Sequence, residues 1–227
     1  MKLIKLCRLL ASLLLVFFFF SQLAKAENRY FYQLGYGYVE GNSHSTYITG
    51  PEGKFAGIIQ GYRADFGLGL SSEINKIKVD YILSYSPDAF NNQVDTKNSC
   101  PNATYECRVK IKDSLDIGAK IYLPLVYNDI TPTVYFGVSN ADIQKELLYG
   151  DEDGAGNVTK HQRNWGATAG FGLNYDVNKN TAISLDYSWT AYEKNIDFHY
   201  YKSPNDSERS SSRPEIHLTS LKVKKYF

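Results

Sequence analysis

The chain has 227 residues, 25 of them basic and 24 acidic, for a net charge of +1. That balance excludes a nucleic-acid-binding role built on a basic surface. The 19 Tyr and 12 Phe lie mostly in short alternating segments, and only the N-terminus carries a long apolar run, which excludes a bundle of membrane helices.

Met1 to Arg8 carries Lys2, Lys5 and Arg8 and no acid, and Leu9 to Phe20 is apolar apart from Ser12. Ala24 and Ala26 then supply the small residues of a cleavage site. The pattern predicts a secretory signal peptide, residues 1–26, cleaved after Ala26. The apolar run is short for a helical anchor, which needs about 20 residues. Cys7 precedes that run, so it does not form a lipoprotein signal. Cleavage leaves 27–227 as one domain of 201 residues, with 21 basic and 24 acidic side chains.

The mature chain reads as eight period-two segments. The first, near Arg29 to Val39, sets Tyr30, Tyr32, Leu34, Tyr36 and Tyr38 against Phe31, Gln33, Gly35, Gly37 and Val39. The second, near Phe55 to Leu68, sets Ala56, Ile58, Tyr62, Ala64 and Phe66 against Gly57, Gly61, Arg63 and Asp65. The third, near Ile77 to Ser86, sets Ile77, Val79, Tyr81, Leu83 and Tyr85 against Lys78, Asp80 and Ser84. The fourth, Val109 to Leu123, groups Val109, Ile111, Leu115, Ile117, Ala119 and Ile121 against Lys110, Lys112, Ser114, Asp116, Gly118 and Lys120. The fifth, near Pro132 to Ile143, is less regular. The sixth, around Trp165 to Tyr175, alternates apolar residues with Gly, Thr and Asn. The seventh sets Ile183, Leu185, Tyr187 and Trp189 against Ser184, Asp186, Ser188 and Thr190. The eighth, His217 to Phe227, alternates to its end on an aromatic residue.

The connections Ser71–Lys76, Pro124–Thr131 and Asp176–Asn180 are short. Asn42–Lys54, Pro87–Arg108, Gln144–Gln162 and Glu193–Arg213 are long and polar. Strict alternation of short and long is the layout of outer-membrane barrels, with turns in the periplasm and loops outside. The predicted fold is all-β: an eight-stranded antiparallel transmembrane β-barrel with short periplasmic turns and four long extracellular loops. The face bearing Arg63, Asp65, Asp80, Asp116, Lys120 and Asp186 with many glycines suits a tight interior. The face rich in Tyr, Trp and Phe suits lipid and its interfacial girdles. A barrel of eight strands is filled by side chains, which argues against a general diffusion porin.

Trp165 to Tyr175, Ile183 to Trp189, and Leu221-Lys222-Val223 leading to Phe227 resemble the opacity-protein and surface-antigen family of bacterial outer-membrane barrels. The likeness covers the mature chain in layout and the last three strands best. It implies a multi-pass barrel in the cell outer membrane of a Gram-negative bacterium. The partners it implies are outer-membrane lipid, the barrel assembly machinery, and a host cell-surface protein or serum factor. The final aromatic resembles the terminal assembly signal of such barrels. Two departures stand out. Lys225 occupies a lipid-facing position usually held by an aromatic residue and must snorkel to the interface. The fifth strand, Thr133 to Ser139, lacks the family's glycine-rich run.

Little in the chain points to catalysis or cofactors. Cys100 and Cys107 lie in the second long loop and are expected to form a disulfide in an oxidising compartment. Ser139-Asn140 matches part of the outer-membrane lipid A deacylase pattern. Gly137 stands where that pattern has His, so Ser139 lacks a base. Asp151, Glu152, Asp153 and Asn157 read as turn residues rather than a calcium loop. His44, His161, His199 and His217 sit at no metal-ligand spacing. No cofactor and no enzymatic activity are expected. The leading reading is a surface antigen or adhesin whose loops contact host molecules. Phe198, Tyr200, Tyr201, Arg209 and Arg213 are its candidate loop contacts, being residue types enriched at binding hot spots. The alternative is a structural or barrier protein, or a narrow porin without a specific ligand. A lipid A-modifying enzyme is the third reading.

Overall fold

Alternation with period two puts one set of side chains on each face of a strand. In this protein the two sets differ so sharply that the sheet can close with only one face inward. The computed structural model describes residues 28–47, 54–74, 76–88, 92–94, 98–99, 105–125, 127, 129–151, 154–193, 198–203 and 206–227, with the backbone alone toward the loop ends. The signal-peptide segment and Cys100 lie outside them.

Eight long strands build the wall: β1 Arg29–Tyr47, β2 Lys54–Ile74, β3 Ile77–Ser86, β4 Tyr105–Tyr122, β5 Ile130–Asp151, β6 Gly154–Asn178, β7 Thr181–Tyr192 and β8 Asp206–Tyr226. Each pairs antiparallel with its neighbours in sequence. The barrel closes where β8 pairs β1, from Phe31 opposite Tyr226 to Tyr47 opposite Ser210. Three short strands, Asn92–Val94, Asn98–Ser99 and Phe198–Ser203, pair onto β2, β4 and β8.

The faces sort as the alternation predicted. Phe31, Gln33, Arg63, Asp65, Asp80, Lys120, Asp186 and Lys224 are buried. Tyr30, Leu34, Tyr36, Leu68, Phe171, Trp165 and Leu221 are exposed. On β1 the outward face runs from Tyr30 to Tyr38 before the first charge, Glu40. Nine residues at about 3.3 Å each, tilted by about 40°, give a lipid-facing band about 23 Å tall. Among the described residues, no helix is long and apolar enough to cross a membrane; the strands do so.

Strand pairing runs further than the sequence suggested. Pairing of β5 with β6 continues to Asp151 opposite Gly154, and that of β1 with β2 to Thr46 opposite Lys54. Much of the first and third expected loops is therefore paired strand. Polar residues there break no rule, because beyond the lipid band both faces of a hairpin meet water. At the other end β2 runs to Ile74, and the turn that follows is correspondingly tight. Lys76, with φ 68°, and Asp129, with φ 65°, hold the left-handed backbone that two-residue hairpin turns require.

Besides a shift beside the β6–β7 turn, between Asp176 and Asn178, β4 breaks period within the wall. The β4–β5 register shifts between Ile111 and Asp113, so the extra residue of a β-bulge reverses the facing on either side. Ile111 is buried inside the barrel, whereas Leu115 and Ile117 face out. This corrects the expected grouping of Ile111 with Leu115. Lys112, expected on the inner face, instead pairs with exposed Asp88 at 3.1 Å.

Candidate functional site

The lumen is stacked in layers. Nearest the turns lies an aromatic layer of Phe31, Tyr122 and Tyr226, with Phe31 and Tyr226 edge to face at 5.8 Å. Lys224 reaches from β8 across this layer, bonding Asp80 of β3 and donating to the Tyr122 hydroxyl at 2.8 Å. Its ammonium also sits 4.5 Å from the centre of the Phe31 ring. Lys78 caps Tyr122 at 4.5 Å and Arg29 caps Tyr226 at 4.8 Å. Cations over aromatic faces keep part of their electrostatic stabilisation where water is scarce.

Above it lies a layer of opposed charges. Lys120 bonds both carboxylate oxygens of Asp186, at 2.7 and 2.8 Å. Ser184 donates to the same carboxylate at 3.1 Å. Lys222 stands 3.8 Å from Asp186 and 3.8 Å from Asp65. One storey higher, Arg63 forks. It bonds Asp116 at 2.8 Å and Ser86 at 2.6 Å, and reaches Ser114 as well. Buried charges persist only when paired and hydrogen-bonded. The cations Arg63, Lys120, Lys222 and Lys224 here meet the anions Asp65, Asp80, Asp116 and Asp186.

Toward the loop end the lumen turns apolar. Val39, Ile59, Ile111, Ala141, Ile143, Tyr192 and Ile216 form one buried cluster, with Leu218 packed on it. The β4 bulge contributes here by turning Ile111 inward. Sequence reading missed this layer, because scattered inward aliphatic residues look like noise on a polar face.

Ser139 faces this lumen, fully buried, with its hydroxyl 3.0 Å from that of Tyr192. Gly137 is filled by its neighbours: a Cβ there would stand 2.6 Å from the Ile117 carbonyl and 2.7 Å from the Tyr135 hydroxyl. The position of the missing His thus has no room for an imidazole, and Ser139 does not face lipid.

The other expected site residues are placed by backbone register. Phe198 lies opposite Ser210, Tyr200 opposite Glu208 and Tyr201 opposite Ser207. Arg209 lies opposite His199, and Arg213 opposite His44 on β1. The five therefore fall on one short strand and the adjoining stretch of β8, at the loop end. Their side chains lie outside the described residues. Cys107 lies in β4 opposite Asn98, and its pairing with Cys100 falls outside them also. Lys225 is exposed at the turn end and donates to Thr181 at 3.2 Å, in keeping with a snorkelling lysine.

A closed antiparallel barrel with polar contents, an apolar belt and aromatic rims defines an integral protein of the bacterial outer membrane. The chain belongs to the outer membrane protein β-barrel domain family, which matches residues 10–204. No curated protein matches it. Among solved structures it is similar to the outer membrane protease OmpT of Escherichia coli, at 11% identity and a TM-score of 0.50, over 88% of this chain and 97% of that one. It is also similar to Neisserial surface protein A, at 13% identity and 0.39, over 87% and 97%. OprG of Pseudomonas aeruginosa gives 11% and 0.46, over 87% and 95%. At these identities the likeness concerns the fold alone.

Proposed function

We propose that this outer-membrane barrel is a surface antigen or adhesin that contacts host molecules through its loop end. The observation that carries this reading is the asymmetry of the barrel. Its turns are tight at one end, while at the other the β5–β6 hairpin stays paired to Asp151 opposite Gly154. A rigid wall raised above lipid positions loops for recognition. The filled lumen supports the same reading, because it offers a solute no wide passage. Phe198, Tyr200, Tyr201, Arg209 and Arg213 are the proposed contacts, and a host cell-surface protein or serum factor is the proposed partner. Residues 1–26 would direct export and be cleaved after Ala26, with insertion by the barrel assembly machinery.

The test is display on a non-adherent bacterium followed by a host-cell binding assay. Binding should appear with the intact protein and fall at least about tenfold when the five residues become Ala, as expected for removal of hot-spot side chains. A displayed, folded protein that confers no binding would favour a structural or barrier role instead. A change in lipid A acyl composition on expression would favour a lipid-active enzyme.

A further inference from the structure

Between the aromatic layer near the turns and the aliphatic layer near the loops lies a cavity of about 60 Å³. Its lining includes Arg63, Asp65, Asp116, Lys120, Asp186 and Lys222. Two of the most buried polar side chains at this level, Asp65 and Gln33, are 4% and 1% exposed. Neither the carboxylate oxygens of Asp65 nor the amide of Gln33 finds a protein hydrogen-bond partner among the described residues. Buried polar groups without protein partners bind water when space allows, and one water needs roughly 10–15 Å³ of such space. This cavity has room for about four. The charges around it balance, so the chemistry selects water rather than a lone ion.

We infer that the lumen is a closed, water-filled chamber, and that the aliphatic layer of Ile59, Ile111, Ile143 and Ile216 is the gate sealing it from the cell exterior. An apolar constriction stops ions and polar solutes by excluding water, so its width need not be zero. The inner seal differs in kind. There Phe31 and Tyr226 meet edge to face, and Lys224 ties Asp80 of β3 to β8. The β3 ladder ends below the aliphatic layer, at Tyr85 opposite Phe66 and Ser86 opposite Ser114. At the height of that layer β4 stays paired with β5, β8 with β1, and β1 with β2. The seal there depends on side chains, which can be truncated without breaking a backbone pair.

The test places one thiol in the chamber. Ser84 lines the cavity, and Ser84→Cys on a Cys100→Ser/Cys107→Ser background gives the reporter. Intact cells receive a small, charged, membrane-impermeant methanethiosulfonate, and labelling is read as a mass shift. The reporter alone should label slowly. Adding Ile59→Ala, Ile143→Ala and Ile216→Ala should raise the rate at least tenfold, whereas Phe31→Ala should leave outside labelling unchanged. Fast labelling of the reporter alone would overturn the closed chamber. A triple variant that keeps its heat-dependent gel shift yet labels no faster would overturn the gate, and faster labelling with Phe31→Ala would overturn its placement at the outer end. If the triple variant loses its gel shift, Ile143→Ala alone is read by the same criteria, with a rise of at least twofold expected.

Discussion

Lys120 on β4 reaches across the barrel to Asp186 on β7 and bonds both oxygens of its carboxylate. The two residues are separated by 66 positions in sequence, and no local rule joins them. The contact turns a ring of strands into a braced cylinder. Lys224 with Asp80 and Arg63 with Asp116 brace it at other heights.

These braces are unequal, and the difference can be measured. Asp186 accepts from Lys120 and Ser184 and lies near Lys222, whereas among the described residues Asp65 accepts no hydrogen bond and its ion-pair contact is with Lys222, at 3.8 Å. Removing one partner of a well-bonded buried pair costs about 3–5 kcal/mol. Asp186→Asn should therefore destabilise the barrel by about 3 kcal/mol, and Asp65→Asn by less than about 1 kcal/mol. Lys120→Met combined with Asp186→Leu should recover most of the loss, since apolar replacement of both partners is often neutral. Urea unfolding of vesicle-inserted protein checks the order. Equal losses for Asp186→Asn and Asp65→Asn would contradict it.

Close packing inside the wall gives a second expectation. A Cβ on Gly118 would meet the Tyr135 ring, 2.5 Å from its Cζ, and the carbonyl of Phe136 at 2.6 Å. Gly118→Ala should cost about 1–3 kcal/mol, the usual range for overpacking. Tyr135→Ala in the same chain should return part of that loss by freeing the space, although the Phe136 carbonyl stays. Gly118→Ala with unchanged urea midpoint would show that the ring moves aside freely.

The two tryptophans report on orientation. Trp165 and Trp189 are 54% and 40% exposed on the outer face of the wall, near the loop end of the lipid band. Both should be quenched by brominated lipids, most strongly when bromine lies close to the headgroups. Quenching by aqueous iodide in place of lipid bromine would mean that the apolar face does not meet lipid.

The cysteines should constrain only the loop. The expected Cys100–Cys107 disulfide closes a short loop outside the barrel wall, so it should restrict that loop in the folded and the unfolded chain alike and cancel from barrel stability. Cys107 lies at the loop-end part of β4, opposite Asn98, far from the braced layers. Reduction should leave the thermal unfolding of the barrel unchanged while making the loop easier for a protease to cut. Global unfolding on reduction would place the bond in the barrel's own stability.

The sequence by itself determined the strand count, the pairing order and which face meets lipid. Period-two alternation of Tyr and Leu against Gly and charge survives in the chain as written, because a strand's facing is a local property. It failed at β4, where Ile111 was read with Leu115. A bulge leaves no mark in composition, and only pairing with Ile143 and Asp142 of β5 reveals the extra residue. Strand ends were also misjudged, since polar residues beyond the lipid band suit loop and paired hairpin equally. The tertiary structure alone decided which charges pair. Lys120 with Asp186, Lys224 with Asp80 and Arg63 with Asp116 become partners only once closure sets the height of each strand against the others. The aliphatic layer depends on closure too: its residues come from six strands, and beyond register partners such as Ile111 and Ile143 it is the closed ring that brings those strands together.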